Sequence, residues 1–79
     1  MITLTVNGEP HRIAPDASLA DIVAEVTGRE LTAEGTPTDG GRLGVAVALD
    51  ASVVPRSRWS ATRPAAGAEV EIITAMQGG

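Results

Sequence analysis

Seventy-nine residues without a cysteine make one small domain and exclude a disulfide framework, a zinc knuckle and a thiol nucleophile. Six arginines, no lysine and ten acidic residues give a net charge of −4, which argues against nucleic acid and favours a basic partner surface. A chain this short buries only about 60% of its unfolded surface, which leaves little interior for a deep catalytic pocket and favours a carrier, adaptor or subunit over an enzyme.

No apolar run approaches the roughly 20 residues of a membrane span. Met1 leads directly into a strand pattern, so the expectation is a cytoplasmic chain with no cleavable signal peptide.

Ile2-Thr3-Leu4-Thr5-Val6 alternates apolar and polar side chains, the period of a half-buried strand. Asn7-Gly8 follows, a strong hairpin signal, and His11 to Ala14 returns as the second strand with Ile13 inward. His11, the one histidine, has no carboxylate cluster with which to hold a metal, so no metal site is expected and it reads as a surface strand residue.

Pro15-Asp16-Ala17 breaks the strand. Ser18 stands three residues before Asp21, a capping-box start in which Asp replaces the usual Glu. Leu19, Ile22, Val23 and Val26 then form one apolar stripe, and Gly28 supplies a left-handed stop. The spacing predicts a helix over 18–27, its stripe packed on a sheet.

Arg29 to Arg42 has no period and carries turn chemistry at Thr36-Pro37-Thr38-Asp39-Gly40-Gly41. It reads as a mobile surface excursion or as a loop that a partner orders. Gly44 to Leu49 is apolar nearly throughout and suits a central strand buried on both faces. Val53-Val54-Pro55 fits an edge strand, and Ser60 to Ala66 reads as irregular. Glu69-Val70-Glu71-Ile72-Ile73 is the last strand, with Val70 and Ile72 inward. A helix crossing one face of a mixed sheet of four to five strands makes a two-layer α+β domain.

The end of the chain is its least ordinary part. Nine glycines in 79 residues make a terminal Gly78-Gly79 by chance about a one per cent event. Five residues follow the last strand, a reach of about 17 Å when extended. Two residues without Cβ atoms can thread a channel closed to other side chains. The expectation is a flexible 75–79 tail that presents the Gly79 carboxylate to a partner's active site for adenylation and attack by a sulfur nucleophile. Gly78, Gln77 and Met76 are the residues such a partner recognises.

Val6-Asn7-Gly8, Val45-Ala46-Val47-Ala48-Leu49, Val53-Val54-Pro55-Arg56-Ser57-Arg58-Trp59 and Val70-Glu71-Ile72-Ile73-Thr74-Ala75-Met76-Gln77-Gly78-Gly79 together resemble the ThiS family, the sulfur carriers of thiamin biosynthesis. The resemblance covers most of the chain, 1–79 as a single domain. Departures lie in turns and loops: a longer Arg29 to Gly44 connection, Asp50-Ala51-Ser52 where Asn is frequent, and Ala68 where Asp is common.

The resemblance implies a ubiquitin-like β-grasp fold with its first and last strands parallel at the centre. It also implies a cycle. An adenylating, ThiF-like activating enzyme uses ATP and magnesium to adenylate Gly79. Sulfur from a cysteine desulfurase converts it to a thiocarboxylate. A ThiG-like thiazole synthase takes the sulfur. The chain itself binds no cofactor in that cycle and acts as a co-substrate.

Two matters stay open in the sequence. Trp59, the one aromatic residue, either caps the small core or marks a partner surface with Arg56 and Arg58. The Gly-Gly end also suits a molybdopterin-type carrier, a ubiquitin-like protein modifier or a domain with an idle tail. The Val-Pro-Arg-Ser stretch favours the thiamin-type reading over the molybdopterin type. No nucleophile-base pair, phosphate loop or metal spacing supports an enzyme.

Overall fold

The computed structural model of the protein describes residues 1–41 and 43–74. Strands β1 (Ile2–Val6) and β2 (Glu9–Ile13) form a hairpin, followed by helix α1 (Leu19–Thr27), strands β3 (Val45–Leu49) and β4 (Ser52–Val54), a 3-10 helix (Arg56–Ala61) and strand β5 (Glu69–Thr74). The five strands make one sheet in the order β2-β1-β5-β3-β4. β1 and β5 run parallel, and the other neighbours are antiparallel.

The hairpin turns on Asn7 and Gly8 alone, at φ 53° and 83°. A two-residue turn with both φ values positive matches the twist of the flanking strands and leaves no slack. Pairing therefore resumes at once, with Val6 opposite Glu9, and β2 starts two residues before the expected His11. Pro10 is tolerated because β2 is an edge strand.

His11 pairs with Leu4, which is buried under the helix, so its ring lies on the inner face rather than the outer one. Its Nε2 lies 3.2 Å from Glu25 Oε1 of α1, at ion-pair distance but outside hydrogen-bond geometry. This corrects the expectation of a plain surface residue.

The start of α1 is fixed as the sequence indicates. Asp21 N–H donates to Ser18 Oγ at 3.2 Å, and Ser18 N–H donates to Asp21 Oδ2 at 2.9 Å. Two of the orphan amide groups of the first turn are thereby satisfied. Gly28, at φ 72°, ends the helix. Leu19, Ile22 and Val23 are fully buried, but Val26 remains 43% exposed. The predicted stripe therefore ends at Val23, the last of its residues that the core encloses.

The aperiodic stretch between α1 and β3 is a closed lobe, not a loose excursion. Leu31 and Pro37 bridge, Thr38 N–H donates to Glu30 O, and Thr32 N–H donates to Thr36 O. Ser60 Oγ donates to Ala33 O at 2.8 Å, which ties the lobe to the 3-10 helix. Gly35 adopts φ 83° with Arg56 and Trp59 directly against it. A Cβ there would stand 2.4 Å from Arg56 Cγ, so only glycine fits.

Asp39 closes the far end of the lobe. Its carboxylate accepts from Gly41 N–H at 2.8 Å and from Arg29 Nη2 at 3.3 Å. The Gly41 amide first, and then the Arg29 guanidinium, hold its pKa below the ordinary value. A depressed carboxyl supports the fold at pH values above its ordinary pKa, and that support is lost as pH falls through the lowered one. A carboxyl-detected NMR titration is expected to place Asp39 below about 3.9, the ordinary aspartate value. A midpoint at or above that value would show that the lobe does not close this way.

The apolar run of β3 is not buried on both faces. Val47 is buried under α1, whereas Ala46 is exposed on the opposite face. One helix covers one face only, and small alanines make the open side tolerable. Ala48 is shielded on that side by its cross-strand neighbours Val53 and Glu71. The core comprises Leu4, Val6, Ile13, Leu19, Ile22, Val23, Leu43, Val47, Trp59, Val70 and Ile72. It sits between the sheet and α1, closed at one end by the 3-10 helix, whose last residues, Ser60 and Ala61, fall in the stretch expected to be irregular.

Candidate functional site

The site grows out of β5. This strand occupies the middle of the sheet, paired with β1 through Thr5↔Glu69 and Val6↔Val70, and with β3 from Leu49↔Val70 to Val45↔Thr74. Val70 and Ile72 are buried, so the strand is anchored through the core on one face and through both neighbours at its edges. Thr74 is the last described residue of the strand. The expected working residues Met76, Gln77, Gly78 and Gly79 lie outside the described residues.

Alternation along β5 sets Glu69, Glu71 and Ile73 on the face away from α1. Ile73 is 58% exposed, and Val53, the partner of Ala48 on β4, is 76% exposed. With exposed Ala46 opposite Ile73, they make an apolar area beside the exit of the chain. Towards the start of β5 this face turns acidic. An open cleft of about 400 Å³ there is lined by Thr5, Asn7, Gly8, Glu69, Val70 and Glu71. The sequence carried a signal for this surface, since Ile73 shares its parity with Glu69 and Glu71 and therefore points outward.

The residues proposed as a partner surface divide. Trp59 is only 1% exposed, and its Nε1 donates to Val54 O at 3.0 Å. It is the cap of the core, and its ring is unavailable to a partner. Arg56 is half-buried; its guanidinium lies 5.2 Å from the Trp59 ring centroid, and Nη2 donates to the carbonyls of Leu43 and Val45. It too is structural, stitching the lobe and the start of β3 to the 3-10 helix. Arg58 alone of the three is exposed.

Sequence reasoning missed two side chains that hold β5. Asn7 Oδ1 accepts from Ile72 N–H at 2.8 Å, and Asp50 Oδ1 accepts from Glu69 N–H at 2.9 Å. Asn7 and Asp50 were legible only as turn residues, because nothing local indicates a partner so far along the chain. Asp50 does this from φ 49°, so the departure from the more frequent Asn keeps an acceptor oxygen in place.

Among the described residues, no three His, Cys, Asp or Glu side chains come together as a metal site. No helix among them is long and apolar enough to cross a membrane.

A five-stranded mixed sheet with parallel neighbours β1 and β5, one helix on one face and the last strand, β5, in the middle of the sheet defines a β-grasp domain. The ThiS family's sequence model matches residues 4–79. The chain belongs to the ThiS family, and with that the sulfur-carrier role and the thiamin-biosynthesis setting of the resemblance are supported. The crystal structure of a thiamine biosynthesis protein (ThiS) from Geobacter metallireducens is similar, with a TM-score of 0.69 and 25% identity over 99% of this chain and 100% of that one. No curated protein matches the chain.

Proposed function

We propose that this chain, one ThiS-like domain over 1–79, carries sulfur on the carboxylate of Gly79. The carboxylate oxygen attacks the α-phosphorus of ATP in an adenylating partner and pyrophosphate leaves. A persulfide sulfur then attacks the activated carbonyl carbon and AMP leaves; a thiol reductant cleaves the S–S bond of the resulting acyl disulfide, so that the terminal oxygen is replaced by sulfur. Thiazole synthase takes that sulfur and releases the carboxylate for another round. The ATP and magnesium belong to the partner, and the sulfur comes ultimately from cysteine through a desulfurase. The cytoplasm, where these partners work, is the proposed location.

The observation that carries this reading is the position of β5. It is paired on both edges and buried on one face, yet its C-terminal end lies five residues before Gly79. The rigid part of the domain can therefore be grasped by one surface while its end is delivered to another. The apolar area at Ile73, Ala46 and Val53, with Arg58 exposed elsewhere on the body, suits recognition by the activating enzyme.

Incubation with the adenylating enzyme, ATP, magnesium and a sulfur donor is expected to raise the intact mass by about 16 Da, a covalent change confined to the chain end. An unchanged mass with a partner shown to be active on its own carrier would overturn the reading.

A further inference from the structure

β5 is held at each end by a side chain from a turn. At its start, Asp50 N–H donates to Glu69 O at 2.8 Å, and Glu69 N–H donates to Asp50 Oδ1 at 2.9 Å. Towards its far end, Asn7 N–H donates to Val70 O at 2.8 Å, and Ile72 N–H donates to Asn7 Oδ1 at 2.8 Å.

The second arrangement follows from the geometry of a parallel ladder. There a residue donates its N–H to one position of the neighbour, and its carbonyl accepts from the position two further on. Asn7 makes the first bond with its backbone. Its φ of 53° belongs to the hairpin turn, where the backbone leaves the line of the strand. The side-chain amide oxygen takes the carbonyl's place. The ladder thus gains one rung beyond Val6, the last residue of β1, and ends two residues before Thr74.

We propose that Asn7 is a positioning residue for the C-terminal segment, because its side chain fixes the last rung of β5 on the β1 side. The inference rests on the carrier reading above. Ile72 lies seven residues before Gly79. An extended chain rises about 3.3 Å per residue and has little slack. A shift at Ile72 is therefore passed along to the carboxylate when a partner draws the segment into its channel. On the opposite edge, the last pair is Val45↔Thr74, and Arg56 Nη2 holds the Val45 carbonyl at 3.1 Å. The exit is set from both sides, by residues remote from it in sequence.

Asn7→Gly and Asn7→Asp test this. Glycine accepts the positive φ freely, so the first variant keeps the turn and removes only the acceptor. Aspartate keeps both the turn preference and an oxygen at the same reach. Amide exchange at Ile72, followed by NMR, is expected to quicken about tenfold in Asn7→Gly and to stay near wild type in Asn7→Asp, the effect of losing one hydrogen bond. With the activating enzyme, Asn7→Gly is expected to lower kcat about tenfold while KM stays within about twofold, since the docking face is untouched and only placement suffers. Asn7→Asp is expected to restore kcat.

Unchanged Ile72 exchange in Asn7→Gly would overturn the proposal. So would a wild-type kcat in that variant, or a loss that Asn7→Asp does not restore. A wild-type chain that is not activated at all would instead sink the carrier reading, and the Ile72 exchange comparison would still decide whether Asn7 holds the strand.

Discussion

Trp59→Ala is expected to destabilise the domain by about 3–5 kcal/mol, the usual cost of deleting a large buried aromatic side chain. The indole is fully enclosed, and Gly35 lies against it on the lobe side. Loss of the ring also strands the Val54 carbonyl, which accepts its Nε1–H, and removes the surface on which the Arg56 guanidinium rests. Domains of this size have total stabilities near the lower end of about 5–15 kcal/mol, so most of the margin goes. Far-UV circular dichroism should show the melting temperature falling by roughly 20 °C, at about 4–8 °C per kcal/mol for a domain of this length. Trp59→Phe should lose less, because it keeps most of the buried area. A loss under about 1 kcal/mol for the alanine variant would return Trp59 to the partner-surface reading.

Removal of Gly79 should have the opposite profile. Nothing in the described core extends beyond Ile72, so the melting temperature should stay within about 1 °C of wild type on the scale just used. The new terminal carboxylate of Gly78 would fall one residue short, about 3.4 Å along an extended chain. Misplacement by about 1 Å already costs on the order of a hundredfold in rate, so thiocarboxylate formation should drop below detection. A truncated chain that still gained the mass of sulfur would show that the reacting group is not where the proposal puts it.

How far each part of this arrangement could be read from the sequence depends on how local its cause is. The hairpin was legible because Asn7-Gly8 encodes its own turn, and α1 because Ser18, Asp21 and Gly28 mark its ends. The last strand and its inward Val70 and Ile72 followed from simple alternation. Val26 and β3 misled for one reason: an apolar residue states a preference for burial, whereas the extent of the covering layer decides whether burial happens. The lobe between α1 and β3 escaped because what closes it is tertiary, with Gly35 seated on Arg56 and Trp59 and Ser60 holding Ala33. Arg56 looked like a surface cation for the same reason; its two carbonyl acceptors are more than ten residues away. Of the candidate site, the Gly-Gly end stands out by composition and position but lies outside the described residues, and the groups that hold β5 were not legible, since Asn7 meets Ile72 across 65 residues.

The parallel alignment of β1 and β5 at the middle of the sheet has a mechanical consequence. A pull directed along β5 from its C-terminal end loads the rungs to β1 and β3 in shear, so that they resist together instead of parting one after another. Tension applied to the end of the chain is thereby spread over a strand bonded along both its edges. A pull on the last residues is thus resisted by the body of the sheet before any single rung gives way.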